Sequence, residues 1–355
     1  MLYYLIFTVF LILSFASNYT LNKENNNILT IFSTALLAII AAIRDNTGSD
    51  FQSYESIWND INPLNIAITE GTGYQYLEPG FRYTVSFLKL FSDSGFLFFS
   101  FFSILSLILL VIALLRFNYN PLISIFLYFS IFYMPYIFNV MRQGLAMSIF
   151  LVSLEFILER KLLQTVLLSM LAASFHITGI LIIISYFLVP FFQRVKPIFL
   201  LTIGSFIASI FTLSNVSQRI FLFFFPSRSD SFIILQAENT SLLQVFVRLL
   251  LILSFIYLGT YLRRANFNTT YRYLINLYIF GFLIYIAFFD FNLLATRFNM
   301  FLRILEIIII PILLFHAKNN ITKPVLFFYY LLIGIAYFIA NATNPDNDYQ
   351  TIFGI

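Results

Sequence analysis

The chain has 355 residues, of which 60% are hydrophobic, 20% aromatic and only 10% charged. Soluble domains carry roughly a quarter charged residues, so this composition excludes a soluble globular protein. The net charge of +4 comes from basic residues scattered singly between apolar runs, a pattern that does not suggest a nucleic-acid partner. The sequence has no cysteine, which excludes disulfides, thiolate metal sites and cysteine nucleophiles.

Several apolar runs approach or exceed the ~17 to 20 residues that a helix needs to cross a bilayer. They predict an all-α, polytopic membrane protein with about 12 transmembrane helices in a single domain over residues 1–355. The first run lacks a preceding basic flank, which favours a retained helix over a cleaved signal peptide. The expected spans are residues 2–17, 28–43, 96–115, 122–138, 144–158, 162–175, 177–192, 197–213, 242–261, 273–289, 299–315 and 324–340.

The distribution of Lys and Arg over alternating loops predicts the orientation of these spans. One set of loops carries eleven basic and two acidic residues, whereas the other carries seven basic and twelve acidic residues. The first side is therefore expected to be cytoplasmic, and both termini to lie outside. Two long loops, residues 44–95 and 214–241, then lie outside, and "EPGFRYTVSFLKLF" in the first has the apolar spacing of an amphipathic helix.

Five arginines lie at or just below the outer ends of the predicted spans, where arginine is disfavoured and needs a reason. Guanidinium groups stay charged when partly desolvated and bind phosphate oxygens bidentately, so a shared cavity would suit an anion with a lipid tail. The alternative for each is a local ion pair, namely Arg303 with Glu306, Arg44 with Asp45 or Asp50, or Arg297 with Asp290. The five are Arg44, Arg142, Arg248, Arg297 and Arg303.

Three residues of the predicted outer side are candidates for acid–base chemistry. Asp50 and Glu78 could each take a proton from an attacking hydroxyl. Alternatively, Asp50 could form a turn or cap, and Glu78 could stabilise the N-terminus of a helix through the helix dipole. His176 lies at the turn after a short span of about fourteen residues, so we expect it below the outer surface. A hydrogen-bonded structural histidine is the alternative. Tyr54 is among several aromatic residues that could stack on sugars or belong to an interfacial belt.

The order of these motifs resembles a known family. Arg44, Gly48, Asp50 and Tyr54 are followed by "EPGFRY", "MRQGLAMS", "FH" before a short span, and "TRFNMFL" before a proline-ended apolar run. This layout is similar to the EpsG-like branch of Wzy-type O-antigen and exopolysaccharide polymerases. The resemblance implies a multi-pass enzyme of the bacterial inner membrane, active on the periplasmic face. It would transfer a growing glycan from undecaprenyl pyrophosphate to the non-reducing end of a lipid-linked repeat unit.

The resemblance and the residues together give each candidate a role. The catalytic candidates are Asp50, Glu78 and His176; the pyrophosphate ligands are Arg142, Arg297, Arg303 and Arg248; the glycan ligands are Arg44, Tyr54, Arg82 and Arg228. No metal or other cofactor is expected, because arginines can neutralise a pyrophosphate leaving group without a cation. The expected partners are undecaprenyl-pyrophosphate-linked oligosaccharides, the lipid bilayer and a chain-length-regulating co-polymerase, with no nucleic acid.

Other classes of membrane protein remain as alternatives. If the protein were a flippase or transporter of lipid-linked oligosaccharides, many helices would carry charge near the membrane midplane. The loops would also be of comparable size on both sides of the membrane. An O-antigen ligase or a sugar acyltransferase would also present histidine and arginine at the outer end of a cavity, so the sequence distinguishes these enzymes poorly from a polymerase. A purely structural role would not explain the arginines at the outer ends of the spans.

Overall fold

The structure is a computed structural model that describes residues 1–117, 119–213, 242–261, 268–317 and 321–354. Within these residues, nine helices are long and apolar enough to cross a membrane, and three shorter apolar helices accompany them. The expectation of an all-α polytopic membrane protein is therefore confirmed. The apolar helices also fall where the sequence predicts spans.

The chain consists of helices connected by short segments, with one pair of very short strands. In chain order the elements are α1 (Leu2–Tyr19), α2 (Lys23–Ala42), β1 (Arg44–Asp45), α3 (Phe51–Asp60), α4 (Leu64–Glu70), α5 (Pro79–Leu88), α6 (Gly95–Phe117), α7 (Pro121–Tyr128), a π-helix (Phe129–Asn139), α8 (Met141–Leu158), α9 (Leu162–Phe175), a 3₁₀ helix (Ile177–Ile180), α10 (Leu181–Phe192), α11 (Pro197–Leu213), α12 (Leu242–Tyr261), α13 (Asn268–Ala287), α14 (Asn292–Arg303), α15 (Glu306–His316), α16 (Thr322–Ala342), a second 3₁₀ helix (Pro345–Asn347) and β2 (Gln350–Thr351).

The helices form two compact units. The larger unit comprises Met1–Tyr186 and Ile310–Ile355, and the smaller comprises Phe187–Ile309. In the larger unit α2 and α8 both pack on α6, and the core includes the almost fully buried π-helix. In the smaller unit α13 packs between α11 and α14.

Hydropathy marks the apolar part of a helix and misses its polar first turn. The second span is expected from residue 28, but α2 begins at Lys23 because the side chain of Asn22 caps it, accepting a hydrogen bond from the Asn25 amide at 2.8 Å. Arg297 lies in the first turn of the candidate span Leu294–His316, as expected, although α14 itself begins earlier, at Asn292. Two residues separate α14 from α15, which begins at Glu306.

Contacts in the larger unit show which segments lie at the same end of it, whereas the side of the membrane that each end faces stays a prediction. The hydroxyl of Tyr3 donates to the carbonyl of Asn347 at 2.9 Å, and β1 pairs antiparallel with β2. Both termini and the start of the 44–95 loop therefore lie at one end of the unit. At the other end, Lys323 donates to the carbonyl of Asn18 at 2.7 Å. We call these the loop end and the lysine end.

The 44–95 segment contains three short helices, α3, α4 and α5, where the sequence predicts one. The expected amphipathic helix is α5, which buries Phe81 and Val85 and packs against α9 and α6. Gly80 is required at its start, because a Cβ there would lie 2.2 Å from the Ser174 hydroxyl and 2.8 Å from the Ser174 carbonyl oxygen. The "EPG" sequence thus lets the N-terminus of α5 touch the C-terminus of α9.

An eleven-residue π-helix precedes α8 and was not foreseen from sequence. It contains Pro135, which has no amide hydrogen to donate within the helix. π-helical segments are rare, usually short, and frequent at functional sites. Here the segment delivers the chain to Val140, from which α8 begins with the "MRQG" sequence.

Candidate active site

Arg142 occupies the first turn of α8 at the loop end of the larger unit. The close approach of α8 to the π-helix fixes this turn: a Cβ on Gly144 would lie 2.2 Å from the carbonyl oxygen of Tyr136. Only glycine fits there without moving backbone. The Arg142 side chain is 17% exposed, so it reaches the surface while most of it is enclosed.

Glu78 forms an ion pair with Arg142, in which Nη1 of Arg142 donates to Oε2 of Glu78. The other carboxylate oxygen, Oε1, accepts from the backbone amide of Ile177 at 3.2 Å. Glu78 is the N-cap residue of α5, yet its side chain makes no capping hydrogen bond to that helix. The alternative expectation, that Glu78 serves its own helix N-terminus, therefore does not describe its contacts. It joins α5, α8 and the turn after α9.

Tyr54 is the second partner of Arg142. Its phenol, in a side chain only 4% exposed, shares a hydrogen bond with the guanidinium. Burial raises the pKa of Tyr54, an effect that Arg142 partly opposes, so the hydroxyl stays neutral. The guanidinium also lies 5.4 Å from the centroid of the Phe81 ring. Arg142 is thus held on three sides by Tyr54, Glu78 and Phe81.

His176 lies beside this cluster, as expected from its position after a short helix. Its side chain is 3% exposed, and Nδ1 lies 2.7 Å from the Thr178 hydroxyl. The Thr178 amide donates to Nδ1 at 3.3 Å, which assigns the hydrogen of the neutral imidazole to Nε2. These bonds cap the 3₁₀ helix that begins at Ile177. The structural expectation for His176 is therefore met, and its catalytic role stays a prediction.

Asp50 precedes α3, one turn before Tyr54. Its carboxylate does not cap the helix; it accepts a hydrogen bond from the Ser49 hydroxyl at 3.5 Å. It is close enough to Tyr54 that its charge adds to the rise in the pKa of the phenol. Asp50 is therefore brought to the edge of the Arg142 cluster, although no direct contact with Arg142 or Glu78 is observed among the described residues.

Arg44 is more deeply buried than sequence suggests, with 1% of its surface exposed. One amino group donates to the carbonyl of Ile137, and the other lies 2.9 Å from the sulfur of Met141. The guanidinium lies 5.2 Å and 4.8 Å from the ring centroids of Phe99 and Phe138. Burial lowers its pKa to about 10, which still leaves it charged at neutral pH.

The expected local ion pair of Arg44 with Asp45 or Asp50 is wrong for the part of the chain that the structure describes, because neither carboxylate approaches the guanidinium. The physical reason is that β1 turns the Arg44 side chain inward while Asp45 points outward. Arg44 contacts the π-helix and the first residue of α8, so it supports the turn that carries Arg142. Its predicted contact with glycan stays a prediction.

Of the remaining glycan candidates, Arg82 is half-buried on α5. Its Nε donates to the Leu77 carbonyl at 3.0 Å, and Nη1 donates to the Thr72 hydroxyl at 2.7 Å. It therefore holds the 72–77 turn against α5. Arg228, like Arg219 and Asp230, lies outside the described residues.

The smaller unit holds the predicted pyrophosphate ligands Arg303, Arg248 and Arg297. Arg303 pairs with Glu306, with Nε 2.7 Å from Oε1 and Nη2 3.4 Å from Oε2. The hydroxyl of Tyr278 donates to the same Glu306 oxygen at 2.5 Å. Arg303 and Glu306 are 4% and 0% exposed. The ion pair expected from their i,i+3 spacing is confirmed.

Arg248 is also buried, on α12. Its guanidinium lies 3.8 Å from the centroid of the Tyr285 ring, a stacking arrangement typical of arginine on an aromatic face. Nη2 donates to Gln244, which also accepts a hydrogen bond from the Tyr285 hydroxyl at 3.1 Å. Arg297 is half-buried on α14. The convergence of all five arginines on one cavity stays a prediction.

Sequence reasoning missed the partners of these arginines. Tyr278 and Tyr285 had no role assigned, and Phe81 was expected only as a sugar-stacking or interfacial aromatic, because each contact joins residues far apart in the chain or on different helices. The one available signal is that buried charges need partners, which makes nearby tyrosines candidates. No group of three or more His, Asp or Glu side chains within the described ranges could hold a metal ion.

The apolar helices and the charged cluster at one end define a polytopic, all-α integral membrane protein with an ionisable surface site. The family model described as the EpsG family matches residues 27–353. The chain belongs to the EpsG family, and the resemblance seen in its motifs is confirmed. This membership indicates a polysaccharide polymerase-like membrane protein. No curated protein and no solved structure gives a significant match.

Proposed function

We propose that this protein polymerises a polysaccharide on the periplasmic face of the bacterial inner membrane. It transfers a growing glycan from undecaprenyl pyrophosphate to the non-reducing end of a lipid-linked repeat unit. The observation that carries the proposal is the arrangement of Tyr54, Arg142 and Glu78 beside His176, at the loop end of a membrane protein of the EpsG family.

The proposed reaction is a substitution at the anomeric carbon of the donor glycan. The acceptor hydroxyl oxygen forms a bond to this carbon, the bond from carbon to the pyrophosphate oxygen breaks, and the pyrophosphate keeps the electron pair. The proton of the hydroxyl passes to a base. Because pyrophosphate is a good leaving group, the protein must mainly orient the acceptor and stabilise the developing charge.

Arg142 suits the leaving group for two reasons. Its guanidinium is partly exposed although it is enclosed by protein, so it can meet a ligand without losing its fixed geometry. Its Nε is buried and donates no hydrogen bond to any of the described residues, which leaves donor capacity beyond the bonds to Glu78 and Tyr54. A preorganised arginine in a partly desolvated site stabilises phosphate charge more than one free in water.

The hydrogen bonds of the three catalytic candidates suit them to different roles. Both oxygens of Glu78 already accept hydrogen bonds from protein, so we assign it to positioning Arg142. Asp50 bears only a long hydrogen bond from Ser49 among the described residues and suits the base that accepts the hydroxyl proton. His176 with its hydrogen on Nε2 suits a donor to a phosphate oxygen.

Among the arginines of the smaller unit, Arg297 is the stronger candidate for a pyrophosphate ligand because it is only half-buried. Arg303 contacts Glu306 and Arg248 stacks on Tyr285, so we assign both arginines a supporting role. Tyr54 and Arg82 support the site from the 44–95 segment. A co-polymerase that sets chain length is part of the proposal.

The proposal is tested with Arg142→Gln, using Arg116→Gln as a matched control. Arg116 forms an exposed ion pair with Glu155 at 2.7 Å, away from the site. Each variant is expressed at equal level in a strain that lacks the native gene, and polymer length and lipid-linked intermediates are measured. Arg142→Gln should reduce polymer by about a hundredfold or more, the usual effect of removing one such stabilising group, with single units accumulating on the outer face.

Two results would contradict the proposal. Normal long-chain polymer from Arg142→Gln would remove the pyrophosphate role from this arginine. Repeat units trapped on the inner leaflet would instead indicate a flippase. The Arg116→Gln control should make polymer at the unaltered level.

A further inference from the structure

The larger unit has a polar pocket of about 300 Å³ at its lysine end. This end is separated from the loop end by the length of α1, whose eighteen residues extend ~27 Å. The pocket is therefore distinct from the Arg142 cluster. Its polar lining residues are Ser17, Asn18, Lys23, Asn26, Asn120 and Lys323.

The charge of this lining is positive. Lys23 and Lys323 both line the pocket, and no aspartate or glutamate is among its described lining residues. Three helices also begin there: α2 at Lys23, α7 at Pro121 and α16 at Thr322. α1 ends at Tyr19 and α15 at His316 at the same pocket, so helix ends of both signs meet there. The two lysines, the charged residues of the described lining, make the pocket favour an anion.

Two buried amides at the pocket have unused hydrogen-bonding atoms. Asn18 and Asn26 are 7% and 8% exposed, and neither Nδ2 of Asn18 nor Oδ1 of Asn26 has a hydrogen-bond partner among the residues that the structure describes. An unpartnered buried polar atom costs free energy, so such atoms are expected to meet a ligand or water. The ligand that satisfies both must supply an acceptor oxygen and also a hydroxyl or amine donor.

Other polar groups around these two amides are hydrogen-bonded to one another. Nδ2 of Asn26 donates to the Ser17 hydroxyl at 2.8 Å and to Asn120 at 3.3 Å. Lys323 donates to the Asn18 carbonyl at 2.7 Å, which uses one of its three donors and fixes its ammonium at the rim. The unused atoms therefore belong to an ordered network and not to loose surface side chains.

An exposed apolar surface adjoins the pocket along α1 and α16. Phe15 and Tyr19 are 57% and 45% exposed, and both rings contact Phe327. On α16, Val325 and Phe328 are 61% and 59% exposed. Acyl chains can lie on this surface while a headgroup enters the pocket, which favours a lipid over a soluble phosphate.

We propose that this pocket binds the phosphate of an anionic glycerophospholipid whose headgroup also carries a hydroxyl. Lys23, Lys323 and the Asn18 amide hold phosphate oxygens, and the headgroup hydroxyl donates to Oδ1 of Asn26. By the charge distribution of the loops, the lysine end faces the cytoplasm, so the lipid comes from the inner leaflet.

The test uses the full-length protein purified in detergent and probed with phosphatidylglycerol, phosphatidylcholine or soluble glycerol 3-phosphate. Lipid retention is measured by native mass spectrometry, and thermal unfolding is followed in parallel. Wild type should retain phosphatidylglycerol at least fivefold over phosphatidylcholine and unfold at a higher temperature with it. The double variant Lys23→Gln/Lys323→Gln should lose both effects.

Two further variants sharpen the result. Asn18→Asp keeps the side-chain shape, places a negative charge at the pocket and should also abolish retention. Lys161→Gln removes an exposed lysine that pairs with Glu159 instead, and it should behave as wild type.

Equal retention of phosphatidylglycerol by the double variant would overturn the proposal. Stabilisation by glycerol 3-phosphate as large as that by the lipid would overturn the assignment to a lipid.

Discussion

Glu78 and Arg142 form an ion pair across 64 residues of sequence, joining the start of α5 in the 44–95 segment to the first turn of α8. Their side chains are 20% and 17% exposed, so the pair is enclosed more than a surface salt bridge yet remains reachable. Because the other Glu78 oxygen holds the Ile177 amide, one carboxylate aligns Arg142 with the turn that contains His176. The geometry of this site therefore depends on Glu78.

Glu78→Gln tests whether this carboxylate positions Arg142 or takes the proton itself. Glutamine preserves shape and can still accept from Ile177, but it removes the charge that fixes the guanidinium. For a positioning residue we expect a loss of about tenfold, mainly as a raised KM for the lipid-linked donor. Initial rates with purified protein and defined donor concentrations measure this.

The control for Glu78→Gln is Glu55→Gln, which alters an exposed acid on α3 and should leave both constants unchanged. A loss of kcat by a thousandfold with KM preserved would contradict positioning, since it would identify Glu78 as the base.

Asp50→Asn removes the proposed base while keeping the shape of the side chain. We expect kcat to fall by about 10²- to 10⁴-fold, the usual contribution of general base catalysis, with thermal stability and donor binding preserved. Folding should be insensitive because the Asp50 carboxylate does not cap α3.

Asp60→Asn is the matched control for Asp50→Asn, because Asp60 is the last residue of α3 and Asp50 directly precedes its first. Asp60 accepts a hydrogen bond from Tyr74 at 2.6 Å and is exposed, so its loss should not affect turnover. Normal polymer from Asp50→Asn would leave Asp50 as a residue of the turn before α3.

The positions of the apolar helices could be predicted because hydrophobic length is a property of the local sequence. His176 at a turn and the Arg303–Glu306 pair could be predicted for the same reason, since both depend on residues within a few positions. By contrast, the sequence predicts that Arg44 lines a cavity at the outer end of its span. The structure buries it against Ile137 and Met141, contacts that no local pattern encodes.

The same limit applies to the interior of the site. Glu78 and Arg142 were separate candidates, and nothing in their spacing predicts that they pair. The π-helix was also unforeseen, because its sequence has the composition of an ordinary apolar span and differs only in its hydrogen-bond register. Tertiary packing decides both features, so they become visible only in three dimensions.

Glu306→Gln tests the buried ion pair of the smaller unit. Loss of the carboxylate leaves the Arg303 charge, 4% exposed, without its counter-charge, and leaves one glutamine oxygen to serve both Arg303 and Tyr278. Breaking a buried pair costs ~3 to 5 kcal/mol, so thermal unfolding in detergent should shift to a clearly lower temperature.

The double variant Arg303→Met/Glu306→Leu separates stability from substrate binding. Apolar replacement of both partners often restores stability, so this protein should unfold near the wild-type temperature. If it is stable and also fully active, Arg303 does not bind pyrophosphate. If Glu306→Gln alone unfolds at the wild-type temperature, the ion pair does not stabilise the smaller unit.

Gly144→Ala tests the packing that presents Arg142. The added Cβ would lie 2.2 Å from the Tyr136 carbonyl oxygen and 3.1 Å from its carbon, and backbone atoms cannot move aside cheaply. The first turn of α8 must therefore shift away from the π-helix. We expect a loss of ~1 to 3 kcal/mol in stability, typical of overpacking, and a loss of activity because Arg142 moves with the turn.

Gly95→Ala is the matched control, since its Cβ would meet Phe99 and Trp58 at 3.8 Å, an ordinary contact. It should be neutral or slightly stabilising at the start of α6, because alanine favours helix over glycine by up to ~1 kcal/mol. Thermal unfolding and polymerisation rates of both variants measure the difference; a Gly144→Ala protein with wild-type values for both would show that Arg142 does not depend on this close contact.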